Sequence, residues 1–134
     1  MATVFEKLNL KLQREIVVIN APASFEPELT ALKDVVVLRD AKQAKVVHFA
    51  IAFATKQMEV DALSHALTSK AEGDALLWFA YPKGKSKKYQ CEFNRDTGWD
   101  VLRSAGFDTV RAVAIDEDWS ALRFRRVEFI KVAK

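Results

Sequence analysis

"VVHFAIAFA", Val46 to Ala54, is the longest apolar run of the chain and is interrupted only by His48. It is far shorter than the roughly 20 residues of a membrane-spanning helix. Runs this continuous are expected of strands covered on both faces. The stretch therefore predicts the buried centre of a sheet, with helices packed on each side.

Working outward, the same pattern repeats. "IVVIN", Ile16–Asn20, and "VVVLRD", Val35–Asp40, read as two earlier strands, the first ending at Ala21-Pro22. Between them Ser24 is placed to cap a short helix in which Glu26 and Glu28 suit the first turn, Pro27 is tolerated, and Phe25, Leu29 and Leu32 recur at helical spacing. On the other side of the central run, Thr55 can cap a longer helix. Met58, Ala62, Leu63, Ala66 and Leu67 form its apolar face, Glu59, Asp61 and Lys70 point away, and Gly73 helps to stop it. "ALLWFAYP", Ala75–Pro82, is a fourth strand, and a helix from about Asp96 to Ala105 carries Trp99 and Leu102 inward before Gly106 closes it.

The end of the chain differs. "VRAVAID" and "SALRFRRVEFI" are separated only by "EDW", too few residues for a crossover helix, so they form an antiparallel hairpin. Leu122 and Phe124 share one face of its second strand, whereas Val127 and Phe129 have the other parity. Either both faces are covered or a bulge near Arg125 and Arg126 shifts the register. The expectation is a single α/β domain spanning residues 1–134. Its sheet is Rossmann-like and mostly parallel, ends in an antiparallel hairpin and carries helices on both faces. The 134 residues, half of them apolar, suffice for one core without staples. The lone Cys91 cannot form an internal disulfide, and the N-terminal stretch lacks the pattern of a secretory signal. Both point to a cytoplasmic protein.

From Val46 onward the order is strand, helix, strand, helix and hairpin, which resembles the second half of a class I methyltransferase-type Rossmann sheet. The phrases "LWFAYPKGKSKK", "NRDTGW" and "DEDWSALRFR" also resemble a family of small uncharacterised bacterial proteins. The methyltransferase resemblance implies a Gly-rich turn after the first strand and an acid at the end of the second for a ribose. Here the turn reads "NAPAS", the earliest of the four glycines is Gly73, and Asp40 alone stands where the ribose acid would be. Tight binding of S-adenosylmethionine or a dinucleotide is therefore not expected, and no cofactor is assigned.

Thiol and imidazole groups are limited to Cys91, His48 and His65, at spacings that suit neither a metal site nor a Cys-His nucleophile pair. Asp116, Glu117 and Asp118 suit a tight turn, and Arg123, Arg125 and Arg126 suit the solvated side of a strand, with Trp119 packed at the sheet end. No catalytic residue is assigned, and the reading leans away from an enzyme.

Charge is concentrated in one place. Residues 81–96 hold five of the 21 Lys and Arg and two of the 18 Asp and Glu, which leaves sixteen of each elsewhere and accounts for the whole net charge of +3. In a doubly wound sheet, ligands lie beyond the carboxyl ends of the strands, beside helix N-termini whose free N–H groups favour anions. Lys83, Lys85, Lys87, Lys88 and Arg95, with Ser24 and Thr55, therefore form a candidate anion-binding rim. The leading expectation is a non-catalytic domain that binds a small anionic ligand or a protein partner. The alternative is a small methyltransferase-related enzyme with an altered ligand. Nucleic acid ranks third, since a dedicated binder spreads positive charge over a whole face rather than one loop, although Tyr81, Tyr89 and Phe93 offer stacking surfaces. An open sheet edge at the second strand or the final hairpin would allow a homodimer.

Overall fold

The fold was described from a computed structural model, over residues 4–10, 13–83, 91, 93 and 97–130. Six strands form one sheet: β1 (Glu15–Ile19), β2 (Val36–Leu38), β3 (Val47–Phe53), β4 (Ala71–Pro82), β5 (Phe107–Ala114) and β6 (Trp119–Arg126). Their spatial order is β2-β1-β3-β4-β6-β5. The first three pairings are parallel, whereas β6 runs antiparallel to both β4 and β5. The Rossmann-like, mostly parallel sheet with a terminal hairpin is thus as the sequence pattern predicts.

Helices lie around it: α1 (Val4–Lys7), α2 (Glu26–Thr30), α3 (Gln57–Thr68), α4 (Asp100–Ser104) and α5 (Val127–Ile130). Alternation along β3 and β4 divides the core in two. Ala50, Ala52, Leu77 and Phe79 face α3 and α4 through Val60, Leu67, Trp99 and Leu102. Phe49, Ile51, Phe53, Leu76 and Trp78 face the other way, onto Val4, Phe5 and Leu8 of the N-terminal segment and Phe25 and Leu29 near α2. Trp78 also donates its indole N–H to the Leu8 carbonyl at 3.0 Å, which ties that segment to the sheet centre. No helix among the described residues is long and apolar enough to cross a membrane.

Several local expectations are corrected. β2 is shorter than Val35–Asp40. β4 begins at Ala71 rather than Ala75, so Gly73 lies inside a strand and does not end α3. Neither Ser24 nor Thr55 caps a helix: Phe25 and Lys56 hold the N-cap positions of α2 and α3. In α3 the buried residues are Val60, Ser64 and Leu67, while Met58 is 73% exposed. Met58 stands about 200° around the helix from Val60 and so faces outward. α4 is reduced to five residues because Gly98 (φ +94°) and Trp99 are not helical. The parity change after Phe124 arises because the chain leaves the sheet at Val127 to form α5, and the register shift lies in β5 between Thr109 and Arg111.

Candidate functional site

Strand order places the reversal of connection direction between β1 and β3, where a doubly wound sheet opens a crevice at its carboxyl edge. Asn20 ends β1 in the left-handed region, φ +58°, a conformation that Asn tolerates better than other side-chain-bearing residues. Its amide Nδ2 donates a long 3.5 Å bond to the Phe53 carbonyl at the end of β3. The chain then turns through Pro22 into a 3-10 turn, Ala23–Phe25. The buried Phe25 ring packs 4.9 Å from Phe53, which meets Trp119 edge-on at 5.2 Å. Trp119 at the sheet end is therefore a packing residue, as its position in the sequence suggests.

On the β3 side, the Glu59 carboxylate folds back over the start of α3. Its Oε1 accepts from the backbone N–H of Thr55 at 2.9 Å and of Lys56 at 3.1 Å. This is the reciprocal half of a capping box, and it engages N–H groups that an anion would otherwise take. No hydrogen bond to Glu59 Oε2 occurs among the described residues. Asn20, Pro22, Thr55, Glu59 and Trp119 bound a cleft of about 250 Å³ over a floor of Phe53 and Ala54.

The acidic hairpin tip stands beside this cleft. Asp116 Oδ1 accepts from the backbone N–H of Asp118 at 2.8 Å and of Trp119 at 2.9 Å, while Ser24 donates its hydroxyl to Oδ2 at 3.3 Å. Lys83 joins the same region through its backbone N–H, which donates to the Asp118 carbonyl at 2.8 Å. Replacing Asp116 by Ala leaves three donors to find other partners and is expected to lower stability by about 2 kcal/mol. A thermal unfolding midpoint unchanged within error would show that the turn holds without it.

Of the residues assigned to an anion rim, Ser24, Thr55 and Lys83 thus come to the same edge. Lys85, Lys87, Lys88 and Arg95 lie outside the described residues. Asp40 lies two residues beyond β2 rather than at its end, and its Oδ1 accepts from Lys42 N–H at 3.0 Å and caps a 3-10 turn. His48 and His65 are both exposed. Among the described residues no group of three or more His, Cys, Asp or Glu is gathered as a metal site requires. A second cavity, about 420 Å³, lies over the helical layer and is lined by His65 of α3 and Asp100, Val101 and Ser104 of α4.

Glu59 is the site residue that the sequence reading assigned to the solvent face. A Glu three residues after the N-cap Lys56 is the signal that identifies it. Asn20 was marked only as the end of a strand, although an Asn before Ala-Pro suits a left-handed turn.

No protein-family model matches the sequence, and no curated protein matches it. Solved structures do. A SAM dependent methyltransferase from Aquifex aeolicus superposes with a TM-score of 0.61 at 14% identity, covering 92% of this chain and 87% of that one. Magnesium protoporphyrin IX methyltransferase from Synechocystis PCC 6803, with bound SAH, gives 0.56 at 13% identity, covering 92% and 78%. The N-methyltransferase NodS from Bradyrhizobium japonicum WM9 gives 0.53 at 11%, covering 85% of each. At these identities the likeness is one of fold: a class I methyltransferase-type sheet.

As bounded by the described residues, the cleft is small for a whole nucleoside-bearing cofactor. Its volume is below the about 300–1,000 Å³ of typical small-molecule pockets. Pro22 removes an N–H donor from the turn after β1, and Glu59 occupies the start of α3.

Proposed function

We propose that this chain is a small methyltransferase-related protein that has kept the sheet and its switch-point cleft but takes a compact cationic ligand, an amine or sulfonium of a few atoms. One observation carries this reading. The half-buried Glu59 carboxylate has one oxygen pinned by two backbone N–H groups and the other without a described partner, in a cleft walled by Trp119 and Phe53. A carboxylate beside aromatic rings attracts a cation both by charge and through the ring quadrupole. The neighbouring Asp116, Glu117 and Asp118 add negative potential. The methyltransferase-type sheet and the cleft at its switch point support this reading over a purely structural role.

The test is a titration of the full chain, followed by NMR, with tetramethylammonium, trimethylsulfonium, S-adenosylmethionine and inorganic phosphate. The small cations are expected to shift resonances of Asn20, Thr55 and Trp119 saturably. Glu59→Gln keeps an oxygen for the backbone donors while removing the charge, and is expected to weaken binding about tenfold, ~1.4 kcal/mol. Saturable binding of S-adenosylmethionine at the same residues, or indifference of cation binding to Glu59→Gln, would overturn the reading.

A further inference from the structure

Toward the opposite end of β6 from Trp119, about 13–20 Å along the strand, three arginines gather on one face. Arg123 and Arg125 alternate with buried residues on β6, and Arg111 of the outer strand β5 is the register partner of Arg123. Like charges directly across a pair of strands destabilise it. Among the described residues Asp74 is the carboxylate that pairs with them. In β4, Ala71 pairs with Val47 and Leu76 with Phe49, so residues 72–75 bulge between them and bring Asp74 to the arginines. Asp74 binds Arg125 through two parallel bonds, 2.7 Å to Nε and 2.5 Å to Nη2, and lies 3.7 Å from Arg123 Nη2. Arg111 is exposed and has no ion pair among the described residues.

Arg123 is the unusual member. Its side chain is only 13% exposed, and among the described residues its ionic contact is the long one to Asp74 and its buried Nε–H meets no acceptor. Burial draws the guanidinium below its usual value, with Asp74 opposing and Arg125 and Arg111 adding to the shift. Asp74 is held below the usual carboxylate range by its hydrogen bonds to Arg125. An arginine sunk this far normally has its donors used, since an unmet buried donor costs about 1–3 kcal/mol. The arrangement therefore spends stability to hold two uncompensated positive charges together at one spot. Lys7 of α1 donates to the Ala114 carbonyl at 3.1 Å, at the other, tip end of β5.

We propose that Arg111, Arg123 and Arg125 bind the phosphoryl group of a small molecule, with Asp74 holding the guanidinium groups in place between ligands. Asp108, the register partner of Arg125, is taken by Arg103 at 3.3 Å, so the three guanidinium groups face Asp74 with a balance of +2, which a phosphoryl dianion matches and a single carboxylate only halves. Planar guanidinium forks suit phosphate oxygens. The ligand meets the Nη groups, because the Arg123 Nε is beneath the surface. The site is separate from the cleft at β1 and β3, and its failure would leave that reading intact.

The experiment is calorimetric titration of the full chain with inorganic phosphate at low ionic strength, paired with a short single-stranded oligonucleotide. One saturable site is expected for phosphate. Arg111→Gln, an exposed substitution, should weaken it about tenfold, and Asp74→Asn, which removes the competing carboxylate, should tighten it about threefold. A chain with Lys83, Lys85, Lys87 and Lys88 all replaced by Ala should retain the affinity. Absence of saturable phosphate binding, insensitivity to Arg111→Gln, weakening by Asp74→Asn, or loss in the lysine-free chain would each overturn the assignment. So would binding of the oligonucleotide alone.

Discussion

Trp99→Ala is expected to remove about 4 kcal/mol of stability, a large share of the roughly 5–15 kcal/mol that holds a domain of this size. Trp99 is fully buried and is surrounded by four aromatic rings, with centroids at 5.0 Å (Phe93), 5.1 Å (Phe124), 5.9 Å (Phe79) and 6.0 Å (Tyr81). Phe79 and Tyr81 come from β4 and Phe124 from β6. The indole therefore packs against both strands of the antiparallel pair and against Phe93. Truncation opens a cavity that these rings cannot close without leaving their strands, and forfeits edge-on contacts worth about 0.5–1.5 kcal/mol each. Urea unfolding followed by circular dichroism measures the effect. A loss below about 2 kcal/mol would mean that the surrounding rings collapse into the space.

Gly98→Ala should cost about 2–5 kcal/mol for a different reason. A Cβ at Gly98 would stand 2.7 Å from Phe93 Cβ and 2.7 Å from Gln57 Oε1, at φ +94°. Gln57 can move only by giving up its Nε2 bonds to the Gly98 carbonyl at 2.8 Å and to Asp61 at 2.9 Å, and Phe93 is fixed against Trp99. Crowding of about 1–3 kcal/mol adds to about 1–2 kcal/mol for the backbone conformation. Gly106→Ala separates the two: its φ is +93° but nothing lies within 4 Å of the added carbon. It should lose only the backbone part. Equal losses at Gly98 and Gly106 would show that the clash at Gly98 relaxes freely.

The sheet was legible because its central strands are apolar on both faces, and no other element accommodates runs such as Val46–Ala54 and Ala75–Pro82. The hairpin followed from a connection too short to cross over. Helix facing was less readable. In α3 the expected face was right at Leu63, Ala66 and Leu67 but wrong at Met58 and Ala62, and it missed Val60 and Ser64, because a polar Ser64 does not announce a buried position. The candidate cleft was half visible. Its place followed from the order of strands, and the absence of glycine excluded a phosphate cradle. The part played by Asp116 was not legible, because its bond from Ser24 joins elements 92 residues apart, and that of Glu59 was outweighed by the loop lysines that dominate the composition. Arg123 read as a solvated strand residue for the same reason: its burial depends on β4 and β5 lying beside it.

The position of β4 between a parallel and an antiparallel neighbour also governs the order in which the chain assembles. β5 and β6 are joined by only four residues, 115–118, so they can pair on the about 1–10 μs scale of hairpins. The parallel pairs must first close crossovers, a slower event. Synthesis runs in the opposite sense. β1 emerges about a hundred residues before β6 begins, which at roughly 5–20 residues per second is an interval of about 5–20 s. Until β6 arrives, β4 has a bare apolar edge and Trp99 lacks the Phe124 side of its enclosure.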